Sequence, residues 1–172
     1  MDRRSFVRVL GSLGLVAPPR SRFYTFETFE LKAGSQLPIL HGRSGIYFEA
    51  LIAPHMPQML AIRGFVSLPA PVSDDSTILR AAPNSIDIRT AAADRARIFE
   101  LRVYRAGPGI EILHRSGIHP VLYSPTTYLI PFDSLAAREK AWTVFSGGPD
   151  WIELRQSSRV RNISLWKAAN SG

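Results

Sequence analysis

The sequence contains no cysteine, so disulfide bonds, cysteine metal ligands and a cysteine nucleophile are all excluded. A helix needs about 20 apolar residues to cross a bilayer, and no apolar run in the sequence is that long. No Walker loop, GxSxG elbow or GxGxxG turn occurs. Lysine and arginine number 21 against 14 acidic residues, for a net charge of +7. The basic residues are scattered, which argues against a nucleic-acid-binding stripe.

The 172 residues are 45% hydrophobic and 20% charged, which is ordinary for one globular domain or two small ones. The segment most typical of a strand is Ile98–Tyr104, which has no glycine or proline inside. Its alternation puts Phe99 and Leu101 on one face, and the charged Glu100 and Arg102 on the other.

The first 19 residues resemble an export signal. Arg3 and Arg4 precede Phe6, and a short, weakly apolar run then ends at Pro18 and Pro19. Paired arginines followed by Ser-Phe-Val resemble the twin-arginine motif. The segment therefore predicts a periplasmic or secreted protein. The alternative is a cytoplasmic protein with a frayed basic tail.

The chain matches itself at a constant interval. Phe26-Glu27 falls on Phe99-Glu100, and Ile39-Leu40-His41 falls on Ile112-Leu113-His114. We therefore predict two similar halves, at residues 20–83 and 97–169, joined by a linker or connecting helix at 84–96. Two copies are too few for a solenoid, which needs at least three repeats.

The second half reads as β-(α)-β-β-α-β, which is the ferredoxin-like order of an α+β fold. Its clearest helix covers residues 134–145, with Asp133 as the predicted N-cap and two glycines as the stop. The first half has strand patterns but almost no helical ones. We expect the other half, or another chain, to cover its sheet.

Several stretches of the second half resemble the NIPSNAP family. They are Phe99-Glu-Leu-Arg-Val-Tyr104, Gly117-Ile-His-Pro-Val-Leu-Tyr123, Tyr128-Leu-Ile-Pro-Phe-Asp-Ser-Leu-Ala-Ala-Arg-Glu-Lys-Ala-Trp142 and Pro149-Asp-Trp-Ile152. The resemblance implies a dimeric α/β-barrel, formed here by two tandem ferredoxin-like copies whose helices are shortened or missing, especially in the first half. The family offers no agreed catalytic residues and no cofactor, so none is predicted.

In a barrel of two facing sheets, the charged face of Ile98–Tyr104 would line a cavity between the sheets. By analogy with other barrels of this kind, the cavity would bind a small organic molecule. Arg102 would anchor an anion, and His119 or Glu100 would be the candidate base. The predicted lining residues are Glu27, Glu49, Glu100, Arg102, Tyr104, His119 and Tyr123.

The four histidines lack the helical i,i+4 or H-x-H spacing of a metal site, so no metal is predicted. RNA-recognition motifs share the predicted strand order, but the glycine-flanked aromatic pattern that stacks bases is missing, so no nucleic-acid partner is predicted.

The sequence leaves two functions open. The first is a non-catalytic binding or assembly protein, exported from the cytoplasm, which self-associates through uncovered strands. The alternative is a cofactor-free small-molecule enzyme, similar to a monooxygenase, that uses the polar cavity. A cavity lined by convergent polar groups favours the enzyme, and a filled interior favours the other function.

Overall fold

Eight antiparallel strands form a closed barrel, in the order β1-β3-β2-β8-β5-β7-β6-β4, and β4 pairs back onto β1. The computed structural model describes residues 21–32, 45–69 and 78–169. The strands are β1 (Phe23–Glu30), β2 (Ile46–Ile52), β3 (Gln58–Phe65), β4 (Ile78–Ala81), β5 (Ile98–Tyr104), β6 (Leu122–Tyr123), β7 (Thr127–Phe132) and β8 (Val160–Ala168). The helices are α1 (Ile88–Ala93), α2 (Ile110–Arg115), α3 (Leu135–Gly147) and α4 (Pro149–Leu154).

The two halves of the chain use the same pairing scheme and close on each other. In the first half β1 lies between β3 and β4, and in the second half β5 lies between β7 and β8. The halves meet where β2 pairs with β8 and where β4 pairs with β6. The sheet of the first half is therefore covered from inside by the second half, within one chain.

The barrel interior is filled with apolar side chains. Every strand contributes to one buried cluster, in which Phe48 of β2 meets Phe99 of β5 edge to face at 4.9 Å between ring centres. Trp166 of β8 is 1% exposed, and its indole N–H donates to Ser164 Oγ at 2.8 Å. Each such large side chain adds about 1.5–3 kcal/mol of burial free energy. The core of the fold is therefore inside the barrel.

Helix α1 belongs to the same interior cluster through Ile88 and Ala91. Since the sheet is closed, a helix can reach that cluster only through an end of the barrel. Asp87 is the N-cap, and its carboxylate accepts a hydrogen bond from the backbone N–H of Arg89 at 2.8 Å. Helix α1 therefore covers one opening of the barrel.

The α+β fold predicted from the sequence, a ferredoxin-like dimeric α/β-barrel in two tandem copies, is wrong. The protein is a closed antiparallel β-barrel, mostly sheet, and three of the four described helices have only six residues. The physical reason is closure. Apolar strand faces that meet across a barrel bury one another, and need no layer of long helices to cover them.

The remaining helices pack on the outside, against β5 and β7. A second apolar cluster joins Ile98 and Tyr104 of β5 and Ile130 of β7 to Leu113 of α2 and Phe145 of α3. Helix α3 begins at Ser134, whose Oγ accepts from the N–H of Ala137 at 3.1 Å. This outer layer is where polar groups converge. None of the helices in the described part of the chain has the length and apolar composition of a membrane-spanning segment.

Candidate functional site

Strand β5 divides its side chains between the interior and the outer helical layer. Phe99 and Leu101 belong to the interior cluster, so the alternating Glu100, Arg102 and Tyr104 point outward. The predicted barrel of two facing sheets would instead turn these three residues toward a cavity between the sheets. The structure reverses the two faces, because the closed barrel encloses the apolar side of the strand.

Glu100 is the centre of a polar cluster beneath α3. It is fully buried, yet both carboxylate oxygens are hydrogen bonded. Oε1 accepts from Arg102 Nε at 2.5 Å. Oε2 accepts from Arg138 Nε at 2.5 Å and from the indole N–H of Trp142 at 2.9 Å. A buried carboxylate is tolerated only with such charged donors, and two guanidinium groups around it leave the cluster with one net positive charge.

The two arginines differ in how much of each guanidinium is occupied. Arg102 lies over the ring of Trp142, at 3.4 Å from its centre, and also donates to Tyr104 Oη at 3.4 Å. Arg138 has one recorded bond among the described residues, through Nε, and 23% of its side chain is exposed. Since a guanidinium has five N–H donors, the outer end of Arg138 keeps donors for a ligand.

A cleft of about 340 Å³ opens beside this cluster, mainly along α3. Its floor is aromatic: Trp142 meets Phe145 edge to face at 5.2 Å, and Phe145 lies 4.9 Å from Trp151 of α4. The polar groups at the cleft are the two guanidinium groups, the Glu139 carboxylate and the hydroxyls of Thr143 and Ser146. Both hydroxyls donate to backbone carbonyls of α3. The guanidinium groups therefore have the N–H donors that could bind a ligand in this cleft.

The tyrosines near the cluster are neutral phenols around pH 7. Burial raises the pKa of Tyr104, and Arg102 opposes that rise. Burial also raises the pKa of Tyr128 to about 12. The two rings meet edge to face at 5.8 Å, and the hydroxyl of Tyr128 donates to the carbonyl of Pro108. Both phenols therefore keep their protons at neutral pH.

The other predicted residues lie elsewhere on the barrel. Glu27 of β1 pairs with Arg63 at 3.6 Å and is partly exposed, while Glu49 of β2 is opposite Met59 and Lys167. On that side of the barrel, β3, β2 and β8 separate β1 from β5. These two carboxylates therefore do not join Glu100.

His119 and Tyr123 line two other clefts. His119 is exposed in a cleft of about 540 Å³, where its ring lies 5.2 Å from that of His114. Burial, and next the proximity of His119, lower the pKa of His114. Tyr123 lines a cleft of about 680 Å³ beside Arg80. Of the seven predicted lining residues, the structure thus brings together Glu100, Arg102 and Tyr104.

Sequence reasoning missed Arg138, Trp142 and Trp151 as site residues. The helical pattern alone places Arg138 on the solvent face of its helix and Trp142 in the apolar stripe. The sequence does contain one indication of this site: Arg138, Trp142 and Phe145 have the spacing i, i+4 and i+7, which puts them on one face of α3. The facing carboxylate lies 38 residues away in sequence, so no local pattern could have identified it. In the described part of the chain, no group of three or more histidine, aspartate or glutamate side chains converges to hold a metal.

No protein-family model, curated protein or solved structure matches the chain. The NIPSNAP resemblance therefore stays a prediction, and its expected ferredoxin-like fold is contradicted by the closed barrel. Arg3, Arg4 and Phe6 of the predicted export signal lie outside the described residues.

Proposed function

We propose that this chain is a non-catalytic binding protein whose ligand is a small organic anion with a flat apolar body. One observation carries the proposal. Two guanidinium groups share the buried carboxylate of Glu100, so these three side chains together keep one positive charge beside an aromatic-walled cleft. A carboxylate would bind the outer N–H groups of Arg138, and its apolar part would lie against Trp142 and Trp151.

The filled interior supports binding over catalysis. The enzyme alternative needed a polar cavity between the sheets, and the side chains that meet there are apolar ones such as Phe48, Phe99 and Trp166. The two candidate bases are not placed in such a cavity: both carboxylate oxygens of Glu100 are hydrogen bonded beneath α3, and His119 lines a separate cleft. The convergent polar groups therefore fit recognition of a charge better than proton transfer.

Barrel closure supports ligand binding over assembly through strands. Each of the eight described strands has a hydrogen-bonded neighbour on both sides, so no described strand is an edge strand along its whole length. Self-association remains a proposal.

We also retain export by the twin-arginine route as a proposal. Its support is the pair Arg3-Arg4 before Ser-Phe-Val, followed by a short apolar run. The binding protein would then act outside the cytoplasm.

Isothermal titration calorimetry with 2-naphthoate tests the binding proposal. We expect saturable binding of 2-naphthoate to the wild type, and binding at least about tenfold weaker to Arg138→Met. The wild type should not bind 2-naphthamide, which has the same rings without the charge. Arg161→Met is the matched control, because Arg161 is exposed on β8 and does not line the cleft. Circular dichroism and thermal unfolding check that each variant is folded. Equal binding by wild type and Arg138→Met, or no binding at all, would contradict the proposal.

A further inference from the structure

Glu139 places a negative charge at the rim of the cleft that holds Arg102 and Arg138. It follows Arg138 directly in α3 and is exposed. Its backbone carbonyl accepts the hydroxyl of Thr143, but within the described ranges its carboxylate has no recorded hydrogen bond or ion pair. The cleft therefore has two kinds of open charge, the guanidinium N–H groups and the Glu139 carboxylate.

The charges at the cleft balance but are separated. Arg102 and Arg138 offset the buried Glu100 and the rim Glu139, so the formal sum is zero. A plain anion would gain from Arg138 and be repelled by Glu139. A ligand with both a carboxylate and an ammonium group satisfies both sides. An ammonium group has a localised positive charge and three N–H donors. It can therefore bind the exposed Glu139 carboxylate, for which no ion pair is recorded among the described residues.

The apolar wall restricts the rest of the ligand. One face of the Trp142 ring is covered by the Arg102 guanidinium, and its N–H edge is bonded to Glu100, so the rest of that ring and the half-buried Trp151 form the aromatic wall. The cleft volume of about 340 Å³ is near the lower end for small-molecule sites and suits a body of one or two rings. Aromatic rings pack on such a wall edge to face or offset.

We infer that the cleft recognises a zwitterionic aromatic compound of the α-amino-acid class, with its carboxylate on Arg138, its ammonium on Glu139 and its ring against Trp151. This inference rests on the proposed binding function and narrows its ligand class. The acidic group at the rim is what distinguishes it from a site for simple aromatic acids.

Three probes that share a phenyl ring separate the charge contributions. They are L-phenylalanine, 3-phenylpropionate, which lacks the ammonium, and phenethylamine, which lacks the carboxylate. By calorimetry at pH 7 we expect L-phenylalanine to bind at least about fivefold more tightly than either of the others. Glu139→Gln should weaken the binding of L-phenylalanine by about five- to tenfold. It should slightly tighten the binding of 3-phenylpropionate, because it removes the repulsion between the two carboxylates.

Two variants complete the test. Arg138→Met should weaken both acids and spare phenethylamine, and Glu153→Gln, an exposed acid on α4 that does not line the cleft, should change nothing. If 3-phenylpropionate binds as well as L-phenylalanine and Glu139→Gln has no effect on either, the zwitterion inference is overturned while the anion-binding function stands. If no acid binds, or if phenethylamine alone binds, both are overturned.

Discussion

The guanidinium carbon of Arg102 lies 3.4 Å from the centre of the Trp142 ring, while the indole N–H of the same tryptophan donates to Glu100. One side chain of α3 therefore contacts both members of a charged pair on β5. This arrangement fixes the helix to the barrel at the point where the cleft opens. It also sets what substitutions at the tryptophan should do.

Trp142→Phe should destabilise the fold by about 1–3 kcal/mol, because it keeps an aromatic ring but removes a hydrogen bond to a buried charge. Urea unfolding followed by far-ultraviolet circular dichroism measures the change. Trp151→Phe is the matched control, since no side-chain hydrogen bond of Trp151 is recorded among the described residues. An equal loss in the two variants would contradict the role given to the Trp142 N–H.

Glu100→Gln should be more damaging, at about 3–5 kcal/mol, because it leaves two guanidinium groups around a neutral amide. Equilibrium unfolding in urea gives the value. Glu27→Gln is the control: its ion pair with Arg63 is partly exposed, so we expect less than about 1 kcal/mol. Similar losses of unfolding free energy in both variants would show that the buried Glu100 carboxylate stabilises the fold no more than the exposed Glu27 does.

The tyrosines make stability fall in alkaline solution. The pKa of Tyr128 is about 12 in the folded chain, against an ordinary 10.0, because the phenol is buried. The folded state therefore holds this proton more tightly than the unfolded state. The contribution is fully present below pH 10 and is lost as the pH rises toward 12. Unfolding free energies from pH 9 to 11.5 should decline in the wild type, and less steeply in Tyr128→Phe; parallel profiles would contradict the assignment.

Gly107→Ala should destabilise the fold, because a Cβ there would lie 2.6 Å from the carbonyl oxygen of Pro125 and 2.7 Å from the hydroxyl of Tyr128. Relief requires backbone movement, at a cost of about 1–3 kcal/mol. Gly147→Ala is the control, since a Cβ there has no neighbour within 4 Å and the residue ends α3. We expect that change to be neutral or mildly stabilising by thermal unfolding. A Gly107→Ala variant with an unchanged midpoint would contradict the close approach.

The export proposal predicts that replacing Arg3 and Arg4 by lysine abolishes transport of the full chain through the twin-arginine route. Fractionation of cells expressing the tagged chain measures it, with Arg8→Lys as the control. Equal amounts of wild type and double variant outside the cytoplasm would rule the route out.

The sequence predicts local elements better than their arrangement. The β5 strand and the outline of α3 follow from alternation and from glycine stops, although the cap is Ser134 and not Asp133. Alternation also separates Phe99 and Leu101 correctly from Glu100 and Arg102. It does not say which face becomes the interior, because that depends on closure between strands far apart in the chain.

Closure itself has little local signal. The seam between the halves includes β6, which has only two residues, Leu122 and Tyr123, and its pairing with β4 spans two positions. No periodicity can be read from a strand that short. The Arg138–Glu100 contact is hidden for the same reason, since it becomes visible only once α3 is placed over β5.

The position of β8 between β2 and β5 has a kinetic consequence. This strand follows the other seven described strands in the chain, and its pairing with β2 joins the sheet of the first half to the sheet of the second half. During synthesis, the nascent chain can form hairpins such as β2–β3. The barrel cannot close until the ribosome has passed residue 168, where β8 ends. Such late, long-range pairing makes folding slow. Until β8 pairs, the apolar interior side chains of the first half are exposed to solvent and prone to aggregation.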